Sequence, residues 1–479
     1  MNRTRLTALI VACAMFMDAL DQTVIATSLP AIATDIQVNP LALKLALTSY
    51  FMSLAIFVSA SGWAADRFGS RTIFRLAIVI FTTGSILCGF STSLWGFVLA
   101  RFLQGFGGAM MTPVGRLLVI RSVPRAEMVA AFAWLTVPAM IGPMIGPPLG
   151  GFITTYFHWR WIFWINVPIG VLGFVLVTLF IENIREEETP PLDVRGFILT
   201  GIGFSTLVFG LTVAGLGFLP ILYNIALIAV GVAALGLYGV HARRVEFPII
   251  ELKLFRIPLF RATILGGTLF RFGVGATPFL LPLMLQLVFG MSAFQSGSLT
   301  FVSAVGSMAM KASAPRILRH FGFRNVLLYN GLIGSFFFAA CGLFRPGMSE
   351  LLILAVLLAG GFFRSLQFTT LNAAAFAEVD NAMMSRATSL NAVSQQVANS
   401  AGVAIGAGTV EAMHAFHPGA ALSMGDFAPA FFVVGALAAA SYLFFLRLPR
   451  EAGSDVTGSS DRRGNATKIP PPQDRAAAE

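Results

Sequence analysis

Gly62-Trp63-Ala64-Ala65-Asp66-Arg67-Phe68-Gly69-Ser70-Arg71 is the stretch on which the reading of this chain turns. It is a short charged reversal between two long apolar blocks, residues 44–65 and 72–91. Glycine at 62 would let two helices approach closely, and Gly69 suits the tight turn that reverses the chain. Asp66 can accept hydrogen bonds from a helix N-terminus or from an arginine across a seam between bundles, so the cluster could latch one side of a membrane shut. A solvated loop would carry the same residues. The stretch has an echo downstream. Arg319-His320-Phe321-Gly322-Phe323-Arg324 follows the tenth apolar block, and Arg101-Phe102-Leu103-Gln104 in the fourth block resembles Arg364-Ser365-Leu366-Gln367 in the twelfth. The two echoes come in consistent order, which points to an internally repeated chain.

Fourteen apolar blocks run outward from this stretch: 6–29, 44–65, 72–91, 94–120, 128–156, 161–181, 196–216, 219–240, 262–289, 294–313, 325–344, 350–376, 384–410 and 427–447. Each is about as long as the roughly 20 residues that cross a hydrocarbon core. Of the 479 residues, 56% are hydrophobic and 11% charged, less than half of the roughly 25% charged typical of soluble domains. The chain therefore reads as an all-α integral membrane protein. The first run, Leu6 to Leu29, follows Arg3 and Arg5 as a signal peptide would, but it is too long for one and contains Asp18, Asp21 and Gln22. A membrane helix is the better reading.

Net charge is +10, yet the basic residues are dispersed between apolar blocks, so they describe topology rather than a nucleic-acid surface. Placing the N-terminus in the cytoplasm puts 24 of the 32 basic residues on cytoplasmic segments and only Lys44, Arg160 and Arg345 outside. That bias orients the chain with both termini cytoplasmic. The expected organisation is a six-helix bundle over 1–181, a linker with two extra helices over 182–261, a second six-helix bundle over 262–447 and a disordered tail over 448–479. Parallel repeated halves are how many secondary transporters build a midplane site.

Polar residues at membrane depth are the candidate machinery, because a charge there needs a partner or a task. Asp18 and Asp21 lie three residues apart on one face of the first helix, and a desolvated acid can take up and release a proton. Arg101, Gln104, Gly105 and Gly108 share one face of the fourth helix, where Arg101 would want an acid partner on the first. In the fifth block Gly142, Gly146 and Gly150 recur every fourth residue beside Pro143, Pro147 and Gly151, a pattern fuller than ordinary small-residue packing. Arg271, Gln286, Arg364, Asn372, Asn391 and Gln395 could line a cavity with Gln104 or could make interhelical hydrogen bonds. Arg116 and Lys311 sit near cytoplasmic helix ends, where snorkelling explains them.

Set beside one another, these motifs resemble the major facilitator superfamily. The stretch Gly62–Arg71 is similar to its loop signature. Leu20-Asp21-Gln22-Thr23-Val24-Ile25 with Leu29-Pro30, Leu99-Ala100-Arg101-Phe102-Leu103-Gln104-Gly105-Phe106-Gly107-Gly108, and Gly142 to Gly151 resemble the helix 1, helix 4 and antiporter motifs of its fourteen-helix drug:proton antiporters of the EmrB/QacA type. Trp159-Arg160-Trp161-Ile162-Phe163 with Asn166-Val167-Pro168 is similar to the segment that follows. Gly115-Arg116-Leu117 and Met310-Lys311 resemble the MdtD-type multidrug transporters. Ala26, Ala64 and Ser70 depart from the usual residues. The resemblance implies a major facilitator fold, two six-helix bundles plus two extra central helices. It further implies gating by Gly62, Asp66, Arg67, Gly69 and Arg71, and proton coupling through Asp21 and Arg101, with Asp18 in reserve.

The function so implied is proton-coupled antiport that exports small lipophilic or amphipathic compounds across a bacterial cytoplasmic (inner) membrane. Proton-coupled uptake, export of one endogenous metabolite, and a membrane sensor on a transporter scaffold stay open. No phosphate-binding Gly-rich loop ends in Lys-Ser/Thr, so a proton gradient rather than ATP is the expected drive. Cys13, Cys88 and Cys341 lie inside apolar blocks, and His414 with His417 has no third ligand, so neither cofactor nor metal is expected. The expected partners are the lipid bilayer, a small lipophilic substrate and protons, with no nucleic acid, for a protein acting as a monomer. No acid/His cluster argues for an enzyme.

Overall fold

The computed structural model describes residues 3–123, 127–185, 189, 191–214, 216, 218–380, 383–417 and 420–449. Among them the chain is helical throughout, without a strand. Backbone groups in hydrocarbon find no water, so each must be satisfied within its own segment, and helices do this. Every apolar block is helical, and ten helical segments among the described residues are long and apolar enough to cross a membrane. Most of the expected tail, from Arg450 on, lies outside the described residues.

The first block is not one straight helix. α1 (Arg3–Val24) passes through a tighter turn at Ile25–Ser28 into α2 (Leu29–Asp35), where Pro30 stands in the first helical turn. α3 (Lys44–Phe68), α4 (Ser70–Phe90), α5 (Leu94–Ser122), α6 (Met128–Tyr156), α7 (Trp161–Trp164) and α8 (Asn166–Phe180) follow. α9 (Val194–Val213) and α10 (Ile221–His241) form the insert. The rest comprises α11 (Pro258–Leu287), α12 (Ala293–Asn325), α13 (Gly331–Ala340), α14 (Glu350–Phe376), α15 (Met384–His414), α16 (Met424–Ala440) and α17 (Tyr442–Leu446).

Two glycines carry the repeat. Gly69 has φ +91° and Gly322 φ +71°, a backbone region that disfavours side chains. Gly69 ends α3, and Gly322, with a non-helical backbone, likewise breaks α12, which runs past residue 313 up to that break.

α1 packs along α6, and α5 is flanked by α3 and α4, with α8 against α4. Further on, α11 lies against α15 and α16, α12 against α14, and α13 against α16. The two groups meet where α6 touches α12 and α3 touches α15. α9 and α10 pack on each other, and α9 rests on α3 and α15. α10 exposes Leu222, Tyr223, Val232 and Leu237, a surface suited to lipid.

Candidate functional site

Five helices of the first group meet at one buried acid. Asp21 on α1 is fully buried and lies 2.6 Å from the Arg101 guanidinium on α5. Gln104, one turn along α5, donates to Asp21 Oδ1 at 2.9 Å, and Asn166 at the start of α8 donates to the same oxygen at 3.2 Å. Asn166 also donates to Ser85 Oγ on α4 at 3.0 Å. Arg101 Nη1 donates to Gln104 Oε1 at 2.7 Å, and its guanidinium stands 4.3 Å over the ring of Tyr50 from α3. A buried ion pair is favoured when further hydrogen bonds satisfy its partners; here they converge on the carboxylate, whereas Arg101 Nε and Nη2 are buried without a hydrogen-bond partner.

Tyr50 extends the cluster to the second acid. Its hydroxyl donates to Asp18 Oδ1 at 2.6 Å, and Gln22 Nε2 donates to Asp18 Oδ2 at 3.2 Å. The glycines of α5 make this closeness possible. A Cβ at Gly108 would stand 2.8 Å from Asp18 Oδ1, and one at Gly105 would stand 2.6 Å from the Tyr50 carbonyl. Neutralising Asp21 would leave Arg101 without a counter-charge.

A cavity of about 710 Å³ lies between the two groups of helices. Pro143 and Pro147 of α6, Pro278 and Pro282 of α11, and Phe368 of α14 supply apolar wall, and α12 supplies Ser303, Ser307 and Lys311. Of the expected lining residues, Arg364, Asn372 and Gln395 are on the wall. Gln104 is not, since it is buried in the acid cluster. Arg271 is buried behind the wall, donating to Asn391 at 3.1 Å and Asn372 at 3.4 Å. Gln286 is committed to the Thr27 carbonyl at 2.9 Å. Lys311, read from the sequence as a snorkelling residue, also lines this cavity, on the same stripe of α12 as Ser303 and Ser307.

The glycines of α6 lie against backbone and small groups. A Cβ at Gly142 would meet Leu20 N at 3.0 Å, while one at Gly146 would strike Thr23 Oγ1 and one at Gly150 the Val24 carbonyl. Gly151 faces the Ala293 carbonyl of α12. Gly62 departs from expectation, for a Cβ there would meet open space, so no close helix approach depends on it. In the charged reversal, Asp66 pairs with Arg121 of α5 at 2.7 Å, and Arg121 also donates to Ser70 Oγ at 2.9 Å. The arginine it meets thus belongs to its own group of helices. Arg67 is exposed and Arg71 donates to the Ile181 carbonyl at 3.0 Å.

The family model of the Major Facilitator Superfamily matches residues 11–403. The chain belongs to the Major Facilitator Superfamily. As a member it is a multi-pass membrane transporter. It is 36% identical over 450 residues to Putative multidrug resistance protein MdtD of Yersinia pestis (strain Pestoides F), an alignment covering 93% of this chain and 96% of the relative. Among solved structures it is similar to a D-xylose-proton symporter, with TM-score 0.66 and 14% identity over 94% of this chain and 98% of the other. The POT family transporter PepTSo gives TM-score 0.70 and 16% identity over 96% and 98%. At those identities the likeness concerns the fold alone.

Tyr50, Ser85 and Lys311 were not singled out from the sequence as parts of a site, and Asn166 appeared only inside a longer motif. One signal was available for Lys311: Thr300, Ser303, Ser307 and Lys311 recur at helical spacing as a polar stripe in an apolar block.

Proposed function

We propose that this transporter is a proton-coupled antiporter that exports small lipophilic or amphipathic compounds from the cytoplasm. The observation that carries this reading is the separation of two sites. Asp21 and Arg101 are sealed within the first group of helices, whereas the mostly apolar cavity lies between the groups. A proton and a cargo molecule can then be handled by different residues and coupled through conformation, as exchange requires. The similarity to a protein named for multidrug resistance supports the export direction. In the cycle we envisage, protonation of Asp21 releases Arg101, α1 and α5 shift, and the α1–α6 contact carries that shift to the cavity wall.

The same reading takes residues 1–181 and 262–447 as two six-helix halves with α9 and α10 between them. It takes fourteen crossings, cytoplasmic termini, a bacterial inner membrane and a monomeric unit. Everted vesicles from an exporter-deficient strain, energised by respiration, test the exchange. A panel of lipophilic acids, neutral compounds and amines should contain members that collapse the pH gradient only when the protein is present. A panel that leaves the gradient intact in every case would contradict antiport.

A further inference from the structure

The charges on the cavity wall are all of one sign. Its lining includes Lys311 from α12 and Arg364 from α14 but no carboxylate. Among the described residues neither cation forms an ion pair: Arg364 donates to Ser303 Oγ and stands 5.6 Å from the Phe338 ring centroid. Arg271 adds a third positive charge one layer behind, held by Asn391 and Asn372, and Asn372 is itself on the wall. The nearby acids cannot serve as counter-ions to a cargo. Asp21 is saturated by Arg101, Gln104 and Asn166, Asp18 is held by Tyr50 and Gln22, and neither lines the cavity.

We propose that the cavity selects amphipathic anions: an organic acid whose carboxylate or similar group is held by Lys311 and Arg364 while its apolar body lies against the proline-rich wall. This rests on the cavity being the transport site. The physical reason is charge complementarity. Two cations line a mostly apolar cavity that holds no carboxylate, and a bound anion supplies the counter-charge the wall lacks. Arg364 lies in mid-helix on α14, so it has no membrane interface to reach. Lys311 lies on the same face of α12 as Ser303 and Ser307, and all three line the cavity. Pro147, Pro282 and Phe368 give the body of the ligand apolar contact without competing for its charge.

Binding to the purified full chain in phosphatidylcholine nanodiscs tests this with three probes of one skeleton: pyrenebutyrate, pyrenebutanol and pyrenebutylamine. Titration against empty nanodiscs should show the butyrate binding about ten-fold or more tighter than the alcohol, with the amine weakest. Lys311→Gln and Arg364→Gln should each shrink the butyrate-over-alcohol ratio toward one. Amine binding equal to or tighter than butyrate binding would overturn the proposal, as would a butyrate preference that survives both substitutions. The wild-type comparison needs no variant to fold. Adding phosphatidylglycerol separates two sources of the same chemistry. An unchanged butyrate affinity assigns the site to a free anion, and displacement by the lipid would overturn that assignment. No gradient enters the measurement, so a butyrate preference without gradient-driven export would sink the antiport reading and leave the anion site standing.

Discussion

Lys44, the first residue of α3, and Glu411, near the end of α15, form a buried ion pair with Nζ 2.6 Å from Oε2. The pair joins the two groups of helices, and other ties cluster toward the same end. Ser400 donates to the Thr48 carbonyl at 3.4 Å, Gln286 to the Thr27 carbonyl at 2.9 Å, and the Phe294 amide to Thr155 Oγ1 at 3.0 Å. With the orientation proposed above this would be the outer end, and the arrangement would be one closed outward with Lys44 and Glu411 as a latch.

Removing one partner of a buried pair leaves the other charge uncompensated, a penalty of about 3–5 kcal/mol. Opening the outer end would bring water to that charge. Glu411→Gln should therefore raise the outward-open population, read as faster labelling of a cysteine placed at Ala42, which lines a cavity of about 650 Å³ beside Glu411. Exchanging the charges, Lys44→Glu with Glu411→Lys, should restore slow labelling. Labelling that does not respond to Glu411→Gln would show that the pair carries no share of the closure.

Gly297 of α12 and Gly62 of α3 form a matched contrast. A Cβ at Gly297 would strike the Pro147 carbonyl of α6, whereas one at Gly62 meets nothing. Gly297→Ala should disfavour the outward-closed arrangement and slow transport. Gly62→Ala should leave transport intact and, by helix propensity, stabilise by about 0.5–1 kcal/mol. Thermal unfolding and vesicle transport of the two variants check both halves of the contrast.

Asp66 and Arg121 are partly exposed, so their pair contributes little to folding, about 0–1 kcal/mol. Asp66→Asn should accordingly leave the melting temperature within a few degrees of wild type. Transport should nonetheless fall several-fold, because the pair ties the α3–α4 reversal to α5. Unchanged flux would return the reversal to an ordinary solvated loop.

Asp21 and Arg101 were legible because charge at membrane depth stands out against apolar sequence. Their setting was not. Tyr50 and Asn166 are neutral polar residues without periodic partners, and only folding brings α3 and α8 to α1. Lys44 was read only as one of three outer basic residues and Glu411 was not singled out, since a one-dimensional reading cannot see that two helix ends 367 residues apart are buried against each other. The length of α12 was hidden for a different reason: the polar residues after 313 read as the helix end, whereas the helix runs on to the break at Gly322. Gly62 illustrates the converse, since small residues permit close packing without requiring it.

The proposed coupling requires that Asp21 carry the exchanged proton. Proteoliposomes holding an imposed pH gradient, with internal pH and cargo followed together, measure this directly for wild type, Asp21→Asn and Arg101→Lys. An amide cannot carry the proton, so Asp21→Asn should bind cargo yet show neither uphill transport nor cargo-dependent proton flux. Arg101→Lys keeps the charge but loses the planar five-donor fork, and should recover only part of the coupling. Uphill, gradient-driven export by Asp21→Asn at the wild-type rate would contradict the account, make the helix 1 acid structural, and leave Asp18 beside Tyr50 as the next group to test.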